Sequence, residues 1–255
     1  MTLFPPKETE TLPTPIERHG SIFLKRDDLF SFAGVQGGKV RTCAALAAGA
    51  RGLVTAGSRQ SPQCNIVASI ARELGIPCEV HTPQGELGTE VQAARDKGAE
   101  VIQHRAGYNN VIIARARESA RVKGWREIPF GMECDEAVSQ TASQIFPMQS
   151  DIRRIVVPVG SGMSLAGILS GMEAQGVTRR VLGVVVGADP RKRLDKYAPD
   201  NWREMCELIP AGVDYHKRIE ADIDGIKLDP IYEAKCERFL NAGDMLWIVG
   251  RREIL

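Results

Sequence analysis

What the chain lacks narrows the field first. Residues 1–6 (M-T-L-F-P-P) carry no apolar h-region, so no secretory leader is expected there. No run of about 18 apolar residues occurs, so no membrane-spanning helix is expected. Excess charge is also missing: 33 Lys plus Arg oppose 32 Asp plus Glu, a net charge of +1. That balance makes no strong field for nucleic acid or a membrane surface. Arg153–Arg154, Arg179–Arg180 and Arg191–Lys192–Arg193 are short basic clusters of the kind usually solvated. Cys43, Cys64, Cys78, Cys134, Cys206 and Cys236 form no C-x-x-C pair, and none stands with His at zinc spacing. No metal site is expected. Reduced, buried thiols and a cytoplasmic location are. His19, His81, His104 and His216 show no pairing along the chain and read as structural. Internal repeats and low-complexity tracts are absent.

What remains is an ordinary globular composition. The 255 residues are 43% hydrophobic and 25% charged, enough to build one large core or two smaller ones. The Pro- and Thr-rich stretch to Gly20 reads as an extended arm, followed by a short strand over 21–25. A Gly-rich loop, 34–38, leads into an apolar helix over 40–50. Beyond it, short apolar runs (53–56, 77–81, 100–103, 155–159, 181–186, 245–249) alternate with helical patterns (63–74, 88–97, 109–122, 135–146, 164–174, 230–241). Such alternation predicts parallel sheet with helices on both faces. The runs I-V-V-P-V and V-L-G-V-V-V are continuous, as doubly covered parallel strands should be, although Pro158 removes a ladder donor from the first.

Four stretches could carry chemistry. Residues 160–167, G-S-G-M-S-L-A-G, lie between a buried strand and a helix. Glycines there turn backbone N–H groups inward, and the helix start at Ser164 adds unpaired donors and the positive dipole end, a phosphate cradle. No G-K-[ST] closes it, and its glycines do not fall at dinucleotide spacing. In Gly37–Gly38–Lys39 a lysine opens a helix, where cations are disfavoured; a lysine held there by function suits a Schiff-base amine. Residues 57–65, G-S-R-Q-S-P-Q-C-N, crowd small polar groups at a strand's carboxyl end, where ligands of open α/β sheets bind. In 228–235, L-D-P-I-Y-E-A-K, Asp229–Pro230 reads as a helix cap with Pro at the first position. Tyr232 and Glu233 follow in the first turn. Each stretch also has a plainer reading as turn, cap or solvated surface.

Taken in order, L-K-R-D-D-L (24–29), G-G-K-V-R (37–41), G-S-R-Q-S-P-Q (57–63), G-S-G-M-S-L-A-G (160–167) and L-D-P-I-Y-E-A-K (228–235) resemble the fold-type II pyridoxal-phosphate (PLP) enzymes, the tryptophan-synthase-β-like superfamily. The nearest branch looks like 1-aminocyclopropane-1-carboxylate deaminase and D-cysteine desulfhydrase. The resemblance runs from about Thr14 to Val249. It implies two open, mainly parallel twisted sheets with PLP between a larger domain (1–41 plus 147–255) and a smaller one (42–146). It implies a Schiff base on Lys39 and a phosphate grip by Gly160, Ser161, Gly162, Met163 and Ser164. Ser61 and Tyr232 would be catalytic, and Glu233 would face the pyridine nitrogen, keeping it protonated and the ring a stronger electron sink. Ser61, Gln63 and Asn65 would bind substrate. The implied reaction is lyase or deaminase chemistry on a small amino acid through a carbanion, in a homodimer.

This sequence departs from the branch at three places. Pro62 stands where the family has Asn, losing an N–H and a side-chain amide; Asn65 is a candidate replacement. G-G-K replaces G-G-N-K. The part between the phosphate loop and Leu228 is trimmed, and V-G-R-R stands in place of a Gly-rich tail. These departures leave two alternatives open. One is a larger amine substrate, such as an amino acid attached to a nucleobase, with decarboxylation or transfer. The other is a PLP-binding protein without catalysis.

Overall fold

The computed structural model describes residues 13–105 and 109–250, so the first part of the expected arm lies outside it. In chain order, β1 (Ile16–His19) and β2 (Ile22–Arg26) come first, then the two-residue strands β3 (Ser31–Phe32) and β4 (Val35–Gln36). They are followed by α1 (Gly38–Ala47), β5 (Leu53–Ala56), α2 (Pro62–Glu73), β6 (Cys78–Pro83), α3 (Thr89–Asp96), β7 (Glu100–His104), α4 (Asn109–Lys123) and β8 (Arg126–Ile128). The second half holds α5 (Asp135–Ala142), β9 (Arg154–Val159), α6 (Met163–Ala174), β10 (Arg180–Val185), α7 (Arg191–Tyr197), α8 (Trp202–Met205), β11 (Cys206–Pro210), β12 (Asp222–Ile223), β13 (Ile226–Lys227) and β14 (Asp244–Ile248). No helix among the described residues is long and apolar enough to cross a membrane.

The chain divides into two compact units. The described residues of one are 31–35, 39–105 and 109–132; those of the other are 13–30, 36–38 and 133–250. The first carries an all-parallel sheet in the order β7-β6-β5-β8. The second carries a six-stranded sheet, β1-β2-β14-β9-β10-β11, parallel except for the β1–β2 hairpin. The expected α/β class with two mainly parallel sheets is therefore what forms.

Burial explains the apolar runs. β9 is buried from Ile155 to Val159 and β14 along its whole length, since each is flanked by strands and covered on both faces. Pro158 is tolerated because the ladder from β9 to β14 ends at Val156, two residues before the missing N–H would be needed. Parallel pairing also brings together histidines that are distant in sequence. His81 on β6 and His104 on β7 meet at 2.8 Å, while His19 approaches Asp224 at 3.0 Å. Burial and the neighbouring ring push His81 down to about 4. Their lack of pairing along the chain was a property of sequence distance only.

The helix expected over 230–241 does not form. The segment makes two short 3₁₀ turns, 233–235 and 237–239. Asp229 still acts as a cap, accepting the N–H groups of Ile231 (2.8 Å) and Tyr232 (3.0 Å), but it caps a turn. Two charged side chains turn inward instead of lying along a helix. Lys235, 1% exposed, donates to the carbonyls of Asp214 and Tyr215 at 2.9 Å each, and Glu233 is equally buried. Tertiary anchoring of these two groups overrides the local helical pattern.

Gly167 closes the Gly-rich stretch, and its job is packing. It lies within α6, where a Cβ would meet the Thr141 side chain at 2.5 Å and the Val138 carbonyl at 2.9 Å on α5. Gly171, one turn on, is equally close to α5. Gly167→Val should cost about 1–3 kcal/mol through overpacking. That corresponds to a drop in melting temperature of roughly 2–4 °C per kcal/mol. A melt unchanged from the parent protein would remove the packing role.

Candidate active site

In the larger unit the loop after β9 becomes a cradle because three glycines allow close approach. Gly162 caps α6 with φ +93, a conformation that side chains disfavour, and a Cβ there would meet Pro190 at 3.0 Å. Gly160 lies under the Tyr232 ring, where a Cβ would come within 3.0 Å of it, and a Cβ on Gly187 would meet the Gly160 carbonyl at 3.4 Å. The helix starts at Met163, one residue earlier than the sequence pattern suggested, with Ser164 half-buried in its first turn. First-turn N–H groups of a twelve-residue helix and a glycine-lined floor suit a phosphate dianion. Gly187 and Pro190 belong to this cradle although no local motif marked them; their signal is only that a loop follows the neighbouring parallel strand.

Tyr232 is held by a partner that the sequence did not single out. The hydroxyls of Tyr215 and Tyr232 are 3.0 Å apart, and the rings meet edge to face at 6.1 Å. The two residues stand 17 positions apart on an irregular segment, so no periodicity could have linked them.

Glu233 is the most constrained group in this unit. Its Oε1 accepts the Val249 N–H at 2.9 Å, and Oε2 is buried with no hydrogen-bond partner among the described residues. Burial first, and then the negative charge of Asp229, raise its pKa well above the ordinary carboxyl value, against the lowering effect of the Val249 and Gly250 N–H groups. The Val249 carbonyl in turn accepts the Gly38 N–H at 2.9 Å. The backbone of one residue, Val249, thus fixes both Glu233 and the residue preceding Lys39. The contact needs Gly37, whose φ is +111 and whose Cβ would lie 2.7 Å from the Gly250 Cα. An unsatisfied buried carboxyl oxygen costs about 1–3 kcal/mol. It fits a ring nitrogen that accepts or returns a proton there.

In the smaller unit Lys39 is the second residue of α1 and half-buried. Its charge acts on Cys64, whose thiol burial nonetheless pushes up to about 12. Cys64 is therefore a neutral, unreactive neighbour. Ser61 is the N-cap position of α2 and makes no side-chain capping bond, so its hydroxyl is not spent on the helix. Pro62 occupies the first helical position, where its missing N–H costs the helix nothing. The Gln63 amide nitrogen donates to Thr55 Oγ1 (2.9 Å) and the Pro129 carbonyl (2.7 Å), while its Oε1 is buried with no partner among the described residues. Asn65 donates to Glu90 at 3.1 Å and accepts from Lys97 at 2.6 Å, so both ends of its amide brace α2 against α3 and the residue that follows it.

A profile of the family described as pyridoxal-phosphate dependent enzyme matches residues 7–241. Among curated proteins, the 1-aminocyclopropane-1-carboxylate deaminase of Burkholderia cenocepacia (strain HI2424) is 26% identical over 269 residues, covering 84% of this chain and 78% of its own. That of Methylobacterium nodulans (strain LMG 21967 / CNCM I-2342 / ORS 2060) is 25% identical over 286 residues, with 88% and 84% covered. Among solved structures, an ACC deaminase homologue superposes with a TM-score of 0.76 at 23% identity, covering 95% of this chain and 90% of the other. The processed form of threonine deaminase isoform 2 from Solanum lycopersicum gives 0.65 at 15% identity, with 95% and 80% covered. These structures share the fold.

The raised Glu233 pKa gives a prediction with a definite sign. Below the ordinary value of 4.5 the group is mostly protonated whether the chain is folded or not. As pH rises above it, the unfolded chain releases the proton while folded Glu233 keeps it, so the cofactor-free protein loses stability until the folded group itself ionises. Glu233→Gln cannot ionise. The cofactor-free variant should match the parent near pH 4 and melt about 2–4 °C higher at pH 7. Parallel melting curves against pH would show that Glu233 is an ordinary ionised carboxylate.

Proposed function

Because the chain belongs to the pyridoxal-phosphate dependent enzyme family, we propose that it is a lyase or deaminase of small amino acids, with its cofactor carried on Lys39. The observation that carries this reading is the Val249 backbone, whose N–H holds a buried, half-satisfied acid and whose carbonyl holds the residue before Lys39. The donor set fits the cofactor's three chemical ends: an amine for the aldehyde, an N–H cradle for the phosphate and a carboxyl for the ring nitrogen. Bound pyridoxal phosphate supplies a covalent anchor for an amine and an electron sink for the pair left at its α-carbon.

The chain's own residues do the rest. Gly160, Ser161, Gly162, Met163 and Ser164 bind and orient the phosphate. Glu233 would hold the ring nitrogen and exchange a proton with it, in a place where burial favours the neutral carboxyl until a base is present. Lys39 would hold the cofactor's aldehyde and serve as the base that takes or returns a proton at the substrate carbon. Its neutral thiol neighbour Cys64 does not compete as a nucleophile. Tyr232 donates or accepts a proton through its hydroxyl, with Tyr215 fixing its direction. Ser61, free of capping duty, meets the substrate together with the unspent Oε1 of Gln63. Asn65 serves by holding α2 in place, since its amide is already committed at both ends.

All six cysteines are free thiols, five of them buried, which supports a reducing compartment such as the cytoplasm. A homodimer is the expected assembly by family analogy alone, and sedimentation equilibrium tests it.

Two experiments test the assignment. Borohydride reduction of the yellow holoprotein should place one pyridoxyl group on Lys39, and Lys39→Ala should lose both the label and turnover. A panel of small amino acids, 1-aminocyclopropane-1-carboxylate included, should give a 2-oxo acid and ammonia. A label on another lysine would sink the Lys39 assignment, and cofactor colour without any turnover would sink the enzymatic one. Separately, Gly162→Asp should lose cofactor affinity beyond any loss of folding stability, because it sets a carboxylate at the phosphate cradle. Full cofactor occupancy in that variant would place the phosphate elsewhere.

A further inference from the structure

The loop between β5 and α2 carries a cation that the chemistry above does not use. Ser58 to Ser61 form a tight turn, closed by the Ser61 N–H to Ser58 carbonyl bond at 3.0 Å, and Arg59 sits at its corner. The side chain is exposed but seated. It lies over Gly85 on the loop after β6, where a Cβ would come within 2.5 Å of its Nη1. Gly85 has φ +139, so the position is closed to side chains on two counts. The Arg59 backbone carbonyl is packed as closely on Gly88. Nη1 donates weakly to the Glu86 carbonyl at 3.4 Å. The two loops approach each other at this arginine.

Nothing among the described residues neutralises it. Arg26, Arg154 and Arg193 each meet a carboxylate within 3.0 Å, whereas Arg59 has only a backbone carbonyl, even with Glu86 beside it. A guanidinium that is seated but not paired keeps most of its donor fork for an anion and loses little freedom on binding one. It also stands where a ligand would pass. Both loops lie at the carboxyl ends of adjacent parallel strands, and the Arg59 and Ser61 Cα atoms can be at most about 7 Å apart. A short side chain on an amino acid held at Ser61 would bring its end within reach of the fork.

We infer that Arg59 is a specificity-determining residue and that the substrate is an amino acid whose side chain ends in an anion. This deepens the amino-acid reading above and rests on it. Carboxylate and phosphate share the required chemistry, being planar or tetrahedral oxyanions that can take two parallel N–H bonds.

The test uses the holoprotein and matched pairs differing in terminal charge: aspartate and asparagine, glutamate and glutamine, O-phosphoserine and serine, each in both enantiomers. Affinity is read from the change in cofactor absorbance on adding each compound, and turnover is measured beside it. The anionic member of at least one pair should bind about tenfold or more tightly than its neutral partner, the scale of one charge-assisted contact. The preference should weaken with added salt. Arg59→Gln should bring the ratio to near one without changing cofactor occupancy or the melting temperature, and Arg59→Lys should restore part of it. A larger ratio for the phosphoserine pair assigns phosphate; a larger ratio for the acidic pairs assigns carboxylate. Equal binding within every pair in the parent protein, or a ratio untouched in Arg59→Gln, overturns the inference. An intact, Arg59-dependent ratio without turnover of any compound would overturn the lyase reading and leave the anion preference standing.

Discussion

The candidate site residues of the larger unit depend on the backbone of one residue, Val249, just after β14. The Val249 N–H goes to Glu233 and the Val249 carbonyl receives the Gly38 N–H, so the two peptide groups flanking one residue fix the acid at 233 and the backbone at 38. Neither end has freedom to drift. Gly37 touches the Gly250 backbone so closely that any side chain would force them apart, and a Cβ on Gly38 would meet the Asp27 carboxylate at 2.5 Å. The segment ahead of Lys39 is therefore set by the last strand of the sheet, some 210 residues later in the chain.

That constraint accounts for a cost which would otherwise be hard to explain. A carboxyl oxygen kept dry and without a partner destabilises the ligand-free protein. The irregular segment over 229–240 keeps it so, through the Asp229 cap, the inward Lys235 and the tyrosine pair. A regular helix would have spread these side chains around a cylinder. The 3₁₀ turns put Tyr232 against Gly160 and Glu233 against Val249 from successive positions. Local regularity is given up where buried polar side chains must place particular atoms in particular places.

The smaller unit solves a different problem, presenting a loop that has few amide donors to offer. Pro62 removes an N–H at the first position of α2, and Asn65, which could have replaced the lost amide, is committed to Glu90 and Lys97. What is left unspent is the Ser61 hydroxyl, the Gln63 carbonyl oxygen and, at the turn corner, Arg59. That corner is packed against Gly85 and Gly88.

By itself the sequence determined the class of fold and the order of its sheet and helix elements over most of the chain, and it marked the glycine-rich turn before α6 and the lysine that opens α1. These are written in local signals: continuous apolar runs, glycines before a helix, a lysine at an unfavourable helix position and five short motifs in register. The tertiary structure alone decided the rest. It put Gly167 to work between two helices, replaced the helix expected over 230–241 with turns, paired Tyr215 with Tyr232 and His81 with His104, and drew Gly187 and Pro190 to the cradle. The reason is the same in each case. Hydrogen bonds between distant side chains, and the clearance that a missing Cβ leaves, depend on which strands lie side by side, and strand order is not periodic in sequence.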